Sequence, residues 1–423
     1  MKRFKEPVKS VLIVLLALSA AFLAWRGQIF AAFFPPAEEL PLPVSERQPG
    51  DGVSPAALPV TAAVSSAGGL IYGVKYDRAA SEALMESFTP LLAEALGSAE
   101  EPSAISEEEW RSRLFGESLY LDYGFSLPIS VLSAWMGVEA PWAGELEGSA
   151  LLLDRDGSSV RLSFRDGEGN CRSCGTAASW PTLRSLLEEN LPNGAAFAFS
   201  IRGLEACEPY ELVLETLPQL YLVQGSPVQE AAAAVLAEAF GIHLAGQSRF
   251  TEENGTVVYP GDDGVLRLSA DGSIEYASAE GGRRLTADSP EAQIEAVRKL
   301  LEQVRASCAG DELLILTGAE SGDELVLTFD YEVEGLRLIL PSGSAARAVW
   351  RDGALAELSF TPRSYQVSGA AARQLPEKQA AAAAGSLAAG SAAELILYDG
   401  GEDRLSPVWI VTSEGRILWT ADD

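Results

Sequence analysis

Hydrophobic and polar positions follow three different rhythms along this chain. The first is an uninterrupted apolar run, Val11–Trp25 (VLIVLLALSAAFLAW), with a second patch, Ile29–Phe34 (IFAAFF), before Pro35 and Pro36. Lys2, Arg3, Lys5 and Lys9 precede the run and Arg26 closes it. Roughly 20 apolar residues at ~1.5 Å rise cross a bilayer core. Val11–Trp25 alone is too short, but the segment through Phe34 reaches that length. Arg26 then snorkels, and Trp25, Phe33 and Phe34 sit at the interface. The pattern predicts a transmembrane anchor over residues 10–34, a basic cytoplasmic tail over 1–9, and an extracytoplasmic remainder. The competing reading is a cleaved secretory signal ending near Ser19-Ala20-Ala21, which would leave an apolar new N-terminus. Ala17, Ala20, Ala21 and Ala24 share one helical face, a candidate helix–helix contact in the bilayer.

The second rhythm has apolar residues every three or four positions. It predicts helices at Tyr76–Leu96, ended by Gly97, at Ser106–Leu114, where Ser106 and Glu109 match a capping box, and at Ile129–Met136 after Pro128. Further helices are expected at Trp180–Glu189, Val228–Phe240, from Pro290 through Val304 with Ser289 as N-cap, and, as helix or coil, at Glu377–Leu387. The third rhythm marks strands: Gly69–Tyr76, Ser118–Phe125, the hairpin Ser149–Asp154/Ser158–Arg165, Ala195–Ile201 and Leu217–Gln224. It continues through Val257–Tyr259, Val265–Leu268, Ile274–Ala277, Glu312–Leu316, Leu325–Tyr331, Leu336–Leu340, Ala346–Trp350, Leu355–Thr361, Glu394–Tyr398, Pro407–Thr412 and Arg416–Thr420. The fold class is α+β: antiparallel meander sheets, each packed by one or two helices. Residues 35–68, rich in Pro, Ala and Ser, read as a stalk, with apolar letters that alternatively supply an edge strand. An N-terminal α+β domain over 69–246 and a C-terminal one over 247–423 follow. A coarse echo of helix and strands within the latter suggests two sub-repeats.

Composition narrows the function classes. The 423 residues are 47% hydrophobic and carry a net charge of −29. The first nine residues contribute +3, so the remainder carries −32. That excess repels polynucleotides and anionic headgroups, which argues against a nucleic-acid partner. Cys171 and Cys174 form a lone C-x-x-C without a second ligand pair, and His243 is the one histidine, so no metal is expected. Gly167–Gly175 reads as a tight glycine-rich turn. A local disulfide there, one from Cys207 to that loop, and free thiols all remain open, with Cys308 unassigned. No Ser-His-Asp set, G-x-S-x-G, Walker loop or dinucleotide fingerprint is present. Gly261-Asp262-Asp263-Gly264 lacks an EF-hand register and reads as a hairpin turn, and Asn254-Gly255-Thr256 is a bare glycosylation match. Neither catalytic residues nor cofactors nor a small-molecule substrate are expected.

Three segments resemble the YycH/YycI family of membrane-anchored regulators of a cell-wall sensor kinase. Glu253–Tyr276 (ENGTVVYPGDDGVLRLSADGSIEY) is similar to the opening of that family's C-terminal domain. Leu327–Phe360 is similar to its extended sheet. Leu405–Asp423 (LSPVWIVTSEGRILWTADD) resembles the closing strand pair shared with PepSY-like domains. The resemblance covers about Phe250–Asp423 well and Leu70–Gly246 loosely. It implies a non-enzymatic regulator that contacts a sensor histidine kinase and a paralogous regulator, with the anchor helix packed on the kinase's membrane helices. The alternative is a membrane-anchored binding module or inhibitor of a peptidase or cell-wall enzyme.

Overall fold

The computed structural model describes residues 58–140, 142–144, 146–244, 249–279, 285–308, 310–413 and 416–420. They belong to one compact unit, Pro49–Asp423. The expected anchor over 10–34, with Ala17, Ala20, Ala21 and Ala24, lies outside the described residues. Among these, no helix is long and apolar enough to cross a membrane.

The N-terminal sheet has seven strands. Their spatial order is Ile71–Lys75, Thr61–Ser65, Ser118–Pro128, Glu147–Asp156, Ser159–Arg165, Cys171–Ser179 and Ser103–Ile105, antiparallel throughout. Residues 58–68, expected in the stalk, instead enter the fold. Thr61–Ser65 (TAAVS) is buried at every position and paired on both sides, an interior strand. Its small and β-branched side chains let both faces be covered closely. Helix α1, Arg78–Ser98, lies across this sheet through Leu84, Phe88, Leu91, Leu92 and Leu96. Asp77 caps it by accepting the Ala80 N–H at 2.9 Å, and it continues through Gly97 to Ser98. In α2, Glu107–Leu114, Ser106 accepts the Glu109 N–H at 3.1 Å. The Glu109 carboxylate turns to Arg113 rather than back to Ser106, so half of the capping box forms. Helices α3, Ile129–Trp135, and α4, Trp180–Glu188, follow.

Two sequence expectations change here. The turn read into Gly167–Gly175 stops at Asn170, where Asp166 accepts the backbone N–H groups of Glu168 and Asn170. Cys171–Ser179 is a strand, because pairing with Ser159–Arg165 and Ser103–Ile105 outweighs its small-residue composition. Ala195–Ile201 yields only a two-residue strand, Ala196–Phe197, followed by a turn of 3₁₀ helix at Ala198–Ser200. Aromatic packing of Phe197 on Phe199, centroids 5.6 Å apart, holds that turn inward.

The C-terminal sheet has twelve strands among the described residues, from Phe250–Thr251 at one edge to Arg416–Thr420 at the other. Three hairpin strands, 257–260, 264–268 and 274–278, lead into Ala354–Phe360, Ala346–Arg351 and Leu325–Val333. Leu336–Ile339 continues from there and makes a parallel pairing, Leu338 with Leu397 and Ile339 with Tyr398. That pairing attaches 392–398, 407–413 and 416–420, so the segment expected as a shorter repeat extends the same sheet. Helices α5, Gln229–Ala239, and α6, Pro290–Ala306, pack against each other, and α7, Glu377–Leu387, covers Ala392–Tyr398. The fold is α+β and mostly antiparallel.

A third, three-stranded sheet ties the halves together. Leu220–Pro227 pairs with Arg363–Ala372 and with Arg404–Leu405, across the boundary expected at 246/247. Arg363–Ala372 (RSYQVSGAAA) carries too weak an apolar alternation to announce itself. It is a strand because Leu220–Pro227 supplies its ladder.

Ser289 accepts the Ala292 N–H at 3.3 Å and opens α6 with Pro290 behind it. Ser289→Ala should lower unfolding free energy by about 1 kcal/mol in urea titration, with the slope unchanged.

Candidate functional site

A cavity of about 610 Å³ opens where the N-terminal sheet meets the C-terminal one. Ile71–Lys75, Thr61–Ser65 and Ser118–Pro128 form one wall, and Leu313–Ser321 packs along Ser118–Pro128 opposite. Lys75 and Glu211, on the cavity lining, belong to a buried ionic cluster. Lys75, in the apolar strand word LIYGVKY, places its Nζ 2.7 Å from Glu377 Oε1 and 3.9 Å from Glu211 Oε1. It also donates to the Leu212 carbonyl at 3.3 Å and sits 4.9 Å above the Tyr76 ring. Glu377, at the first position of α7, accepts the Leu214 N–H with its other oxygen at 2.8 Å. The Tyr76 hydroxyl donates to Glu377 at 3.4 Å and accepts the Leu395 N–H at 3.2 Å.

Backbone geometry fixes these groups. Tyr76 has φ +62, an unusual state for a large side chain, and turns the chain from strand into α1. Gly335 presses on that turn: a Cβ there would lie 2.5 Å from the Asp77 nitrogen and 2.7 Å from the Tyr76 carbonyl carbon. Beside it, Arg78 forms a bidentate contact with Glu332 Oε1, at 2.9 and 2.8 Å, and reaches the Glu332 carbonyl at 3.0 Å. Arg337 closes the rim by pairing with Glu394 at 2.9 Å and Asp330 at 3.5 Å.

Electrostatics follow from burial. Desolvation opposes the Lys75 ammonium, but Glu377, Tyr76 and Glu211 reverse that and hold its pKa well above the ordinary lysine value. Burial pushes the Glu211 carboxyl up, Lys75 opposes, Glu377 repels, and the outcome is about 7. Higher in the cavity Asp122 accepts the Tyr120 hydroxyl at 3.0 Å and the Gly124 N–H at 2.8 Å. Burial raises Asp122 and Glu208, with Arg165 pulling both down and Asp122 repelling Glu208. The Arg165 guanidinium lies 4.8 Å over the Tyr210 ring.

The cysteines stand apart from this site. All four are free thiols. Burial raises Cys171, Cys174 (to about 12) and Cys207, so these thiols stay protonated and unreactive near neutral pH. The disulfide readings therefore give way to free thiols: Cys207 donates to the Ala381 carbonyl at 3.1 Å, Cys174 to Leu162 at 3.6 Å. His243 is exposed beyond the end of α5. Among the described residues no group of three or more His, Cys, Asp or Glu side chains is arranged for a metal ion. Gly261–Gly264 is a hairpin turn, closed by the Gly261 N–H on the Gly264 carbonyl at 2.8 Å. Sequence reasoning missed Lys75, Glu211 and Glu377. The available signals were a lysine inside an apolar strand and a glutamate opening an alanine-rich helix.

No protein-family model matches the sequence, and no curated protein matches it. In fold the chain is similar to the crystal structure of YycH from Bacillus subtilis, with a TM-score of 0.55 and 11% identity, over 86% of this chain and 96% of that one. The chain has a YycH-like fold. A structure of an uncharacterized protein from Eubacterium rectale overlaps 48% of this chain and 81% of its own at a TM-score of 0.28 and 12% identity.

Removing one member of a buried pair strands the other charge. Lys75→Met and Glu377→Gln should each lower stability by about 3–5 kcal/mol, and Lys75→Met/Glu377→Leu by less than their sum, all read by chemical denaturation. For Glu211 the folded protein holds its proton more tightly than the unfolded chain, so this group makes stability fall as pH rises from about 4.5 to about 7. Glu211→Gln should flatten that limb of the pH–stability curve by about 3 kcal/mol at most.

Proposed function

We propose that this chain is a membrane-anchored, extracytoplasmic regulator of a two-component sensor histidine kinase in cell-wall homeostasis. The observation that carries this reading is the YycH-like fold, which spans 86% of the chain and nearly all of YycH. The apolar segment over 10–34 supports the membrane placement. The charge of −32 beyond residue 9 supports a protein partner over a polynucleotide one.

In this reading the chain makes and breaks no covalent bond. Its outside domains contact the kinase sensor domain and a paralogous regulator, while the Ala17, Ala20, Ala21 and Ala24 face packs on the kinase's membrane helices. The effect is a coupling free energy of typically 1–3 kcal/mol, delivered by differential contacts with two kinase states.

The test is a crosslinking pull-down of the full-length chain from native membranes, beside a version whose Val11–Trp25 is replaced by an unrelated anchor. Recovery of a sensor histidine kinase, reduced by the swapped helix, is the expected outcome. Equal recovery with both would assign recognition to the outside domains alone. Failure to recover any histidine kinase would overturn the reading and favour a partner among peptidases or wall enzymes.

A further inference from the structure

The sequence holds four asparagines, Asn170, Asn190, Asn193 and Asn254, and two of them, Asn193 and Asn254, precede a glycine. In such a pair the glycine nitrogen can attack the asparagine side-chain amide with little obstruction, because glycine has no Cβ and turns freely about φ. The fold treats the two pairs in opposite ways.

Asn193-Gly194 is locked. The Asn193 side chain extends the ladder of the strand Ile71–Lys75: its Oδ1 accepts the Gly73 N–H at 2.9 Å and its Nδ2 donates to the Gly73 carbonyl at 2.7 Å. The Asn193 N–H donates to the Ile71 carbonyl at 3.1 Å. The Glu215 side chain fills the space beside Gly194. Attack there has to break both side-chain bonds first.

Asn254-Gly255 is open. Both residues are exposed, in the turn that joins Phe250–Thr251 to Val257–Pro260. Gly255 has φ +88, and a Cβ there would meet only the Ala270 Cβ, at 3.7 Å. Asn254 Oδ1 accepts the Thr256 N–H at 2.9 Å, which folds the side chain back across the intervening Gly255 nitrogen. The same N–H polarises the amide carbonyl and is placed to hold the oxygen that turns negative under attack. The Gly255 N–H itself donates to the Glu252 carbonyl at 3.0 Å, a bond inside a turn held by a two-residue edge strand. Such edges open locally at small cost.

We infer that Asn254 is a site of spontaneous modification, converted to isoaspartate and aspartate with water as the co-reactant, and that Asn193 is spared. The Gly255 nitrogen loses its proton to solvent and bonds to Asn254 Cγ. The Cγ–Nδ2 bond breaks, and the nitrogen takes up that proton and leaves as ammonia. Water then opens the succinimide ring. Breaking the Cγ–N bond gives aspartate; breaking the backbone C–N bond gives isoaspartate, with the chain routed through Cβ and Cγ. Nothing is oxidised or reduced. Either product adds a negative charge beside Glu252 and Glu253, and isoaspartate lengthens the edge hairpin by a methylene.

The experiment incubates the full chain, purified in a mild nonionic detergent, at physiological temperature and mildly alkaline pH, folded and in guanidinium chloride. Peptide mass mapping follows the replacement of NH by O at each asparagine, and enzymatic isoaspartyl methylation identifies the product. In the unfolded chain both Asn-Gly pairs are expected to convert. In the folded chain Asn254 should convert at least tenfold faster than Asn193, with isoaspartate among the products. A smaller ratio, or an Asn254 that stays intact while the unfolded chain converts, overturns the inference. Aspartate without isoaspartate means direct hydrolysis and overturns it too. Gly255→Ala should slow conversion at Asn254 at least threefold in the folded chain; a smaller effect removes the Gly255 nitrogen from the reaction.

Discussion

Lys75 and Glu377 sit 302 positions apart in sequence and 2.7 Å apart in space, both buried. Neither charge is tolerable there alone. Their pairing requires the N-terminal strand Ile71–Lys75 and helix α7 to be in place together, and the rest of the junction is arranged around that requirement. Tyr76 bridges the pair to the Leu395 backbone and stacks edge-on against Trp409 at 6.1 Å. Leu214 donates its N–H to the glutamate. Arg78 and Glu332 repeat the device at the first residue of α1. A buried ion pair is weak as a source of net stability but strict about geometry, so this one specifies how the halves meet more than how firmly.

The individual elements were largely legible because each writes its own period into the sequence. Leu84 through Leu96 and Ile294 through Val304 repeat at helical spacing, and Ser289-Pro290 and Ser106 mark the helix starts. What the pattern withheld was partnership. Arg363–Ala372 and Cys171–Ser179 lack strong alternation and become strands through the ladders of their neighbours. Thr61–Ser65 lies in a Pro- and Ala-rich stretch whose composition suggests a linker, yet its five residues form an interior strand, paired on both sides. The junction site was hidden for the same reason. Lys75, Glu211 and Glu377 come from three distant segments, and only the completed sheets bring them together.

The YycH-like fold places this junction within a familiar overall path of the chain, while the charged residues that line it are this chain's own observation. At 11% identity, fold is what the likeness carries. The cluster's polar chemistry follows from named side chains and distances here, not from that relative. Buried carboxylates are held in different ways: Glu332 by Arg78, Glu377 by Lys75 and Asp399 by Arg363, but Glu312 by the Tyr365 N–H.

The parallel pairing of Leu338 and Ile339 with Leu397 and Tyr398 has a consequence for how the chain comes into being. Antiparallel hairpins close as soon as both strands exist, but this contact waits for some sixty intervening residues, including all of α7. Until then the N-terminal sheet, synthesised first, holds Lys75 without Glu377, its nearer counter-charge. Long-range contacts of this kind slow the search for the native state and leave sticky surface open meanwhile. The last quarter of the chain is thus the part that ends the folding of the first, and a truncation before α7 would leave Lys75 with only Glu211, 3.9 Å away, for a counter-charge.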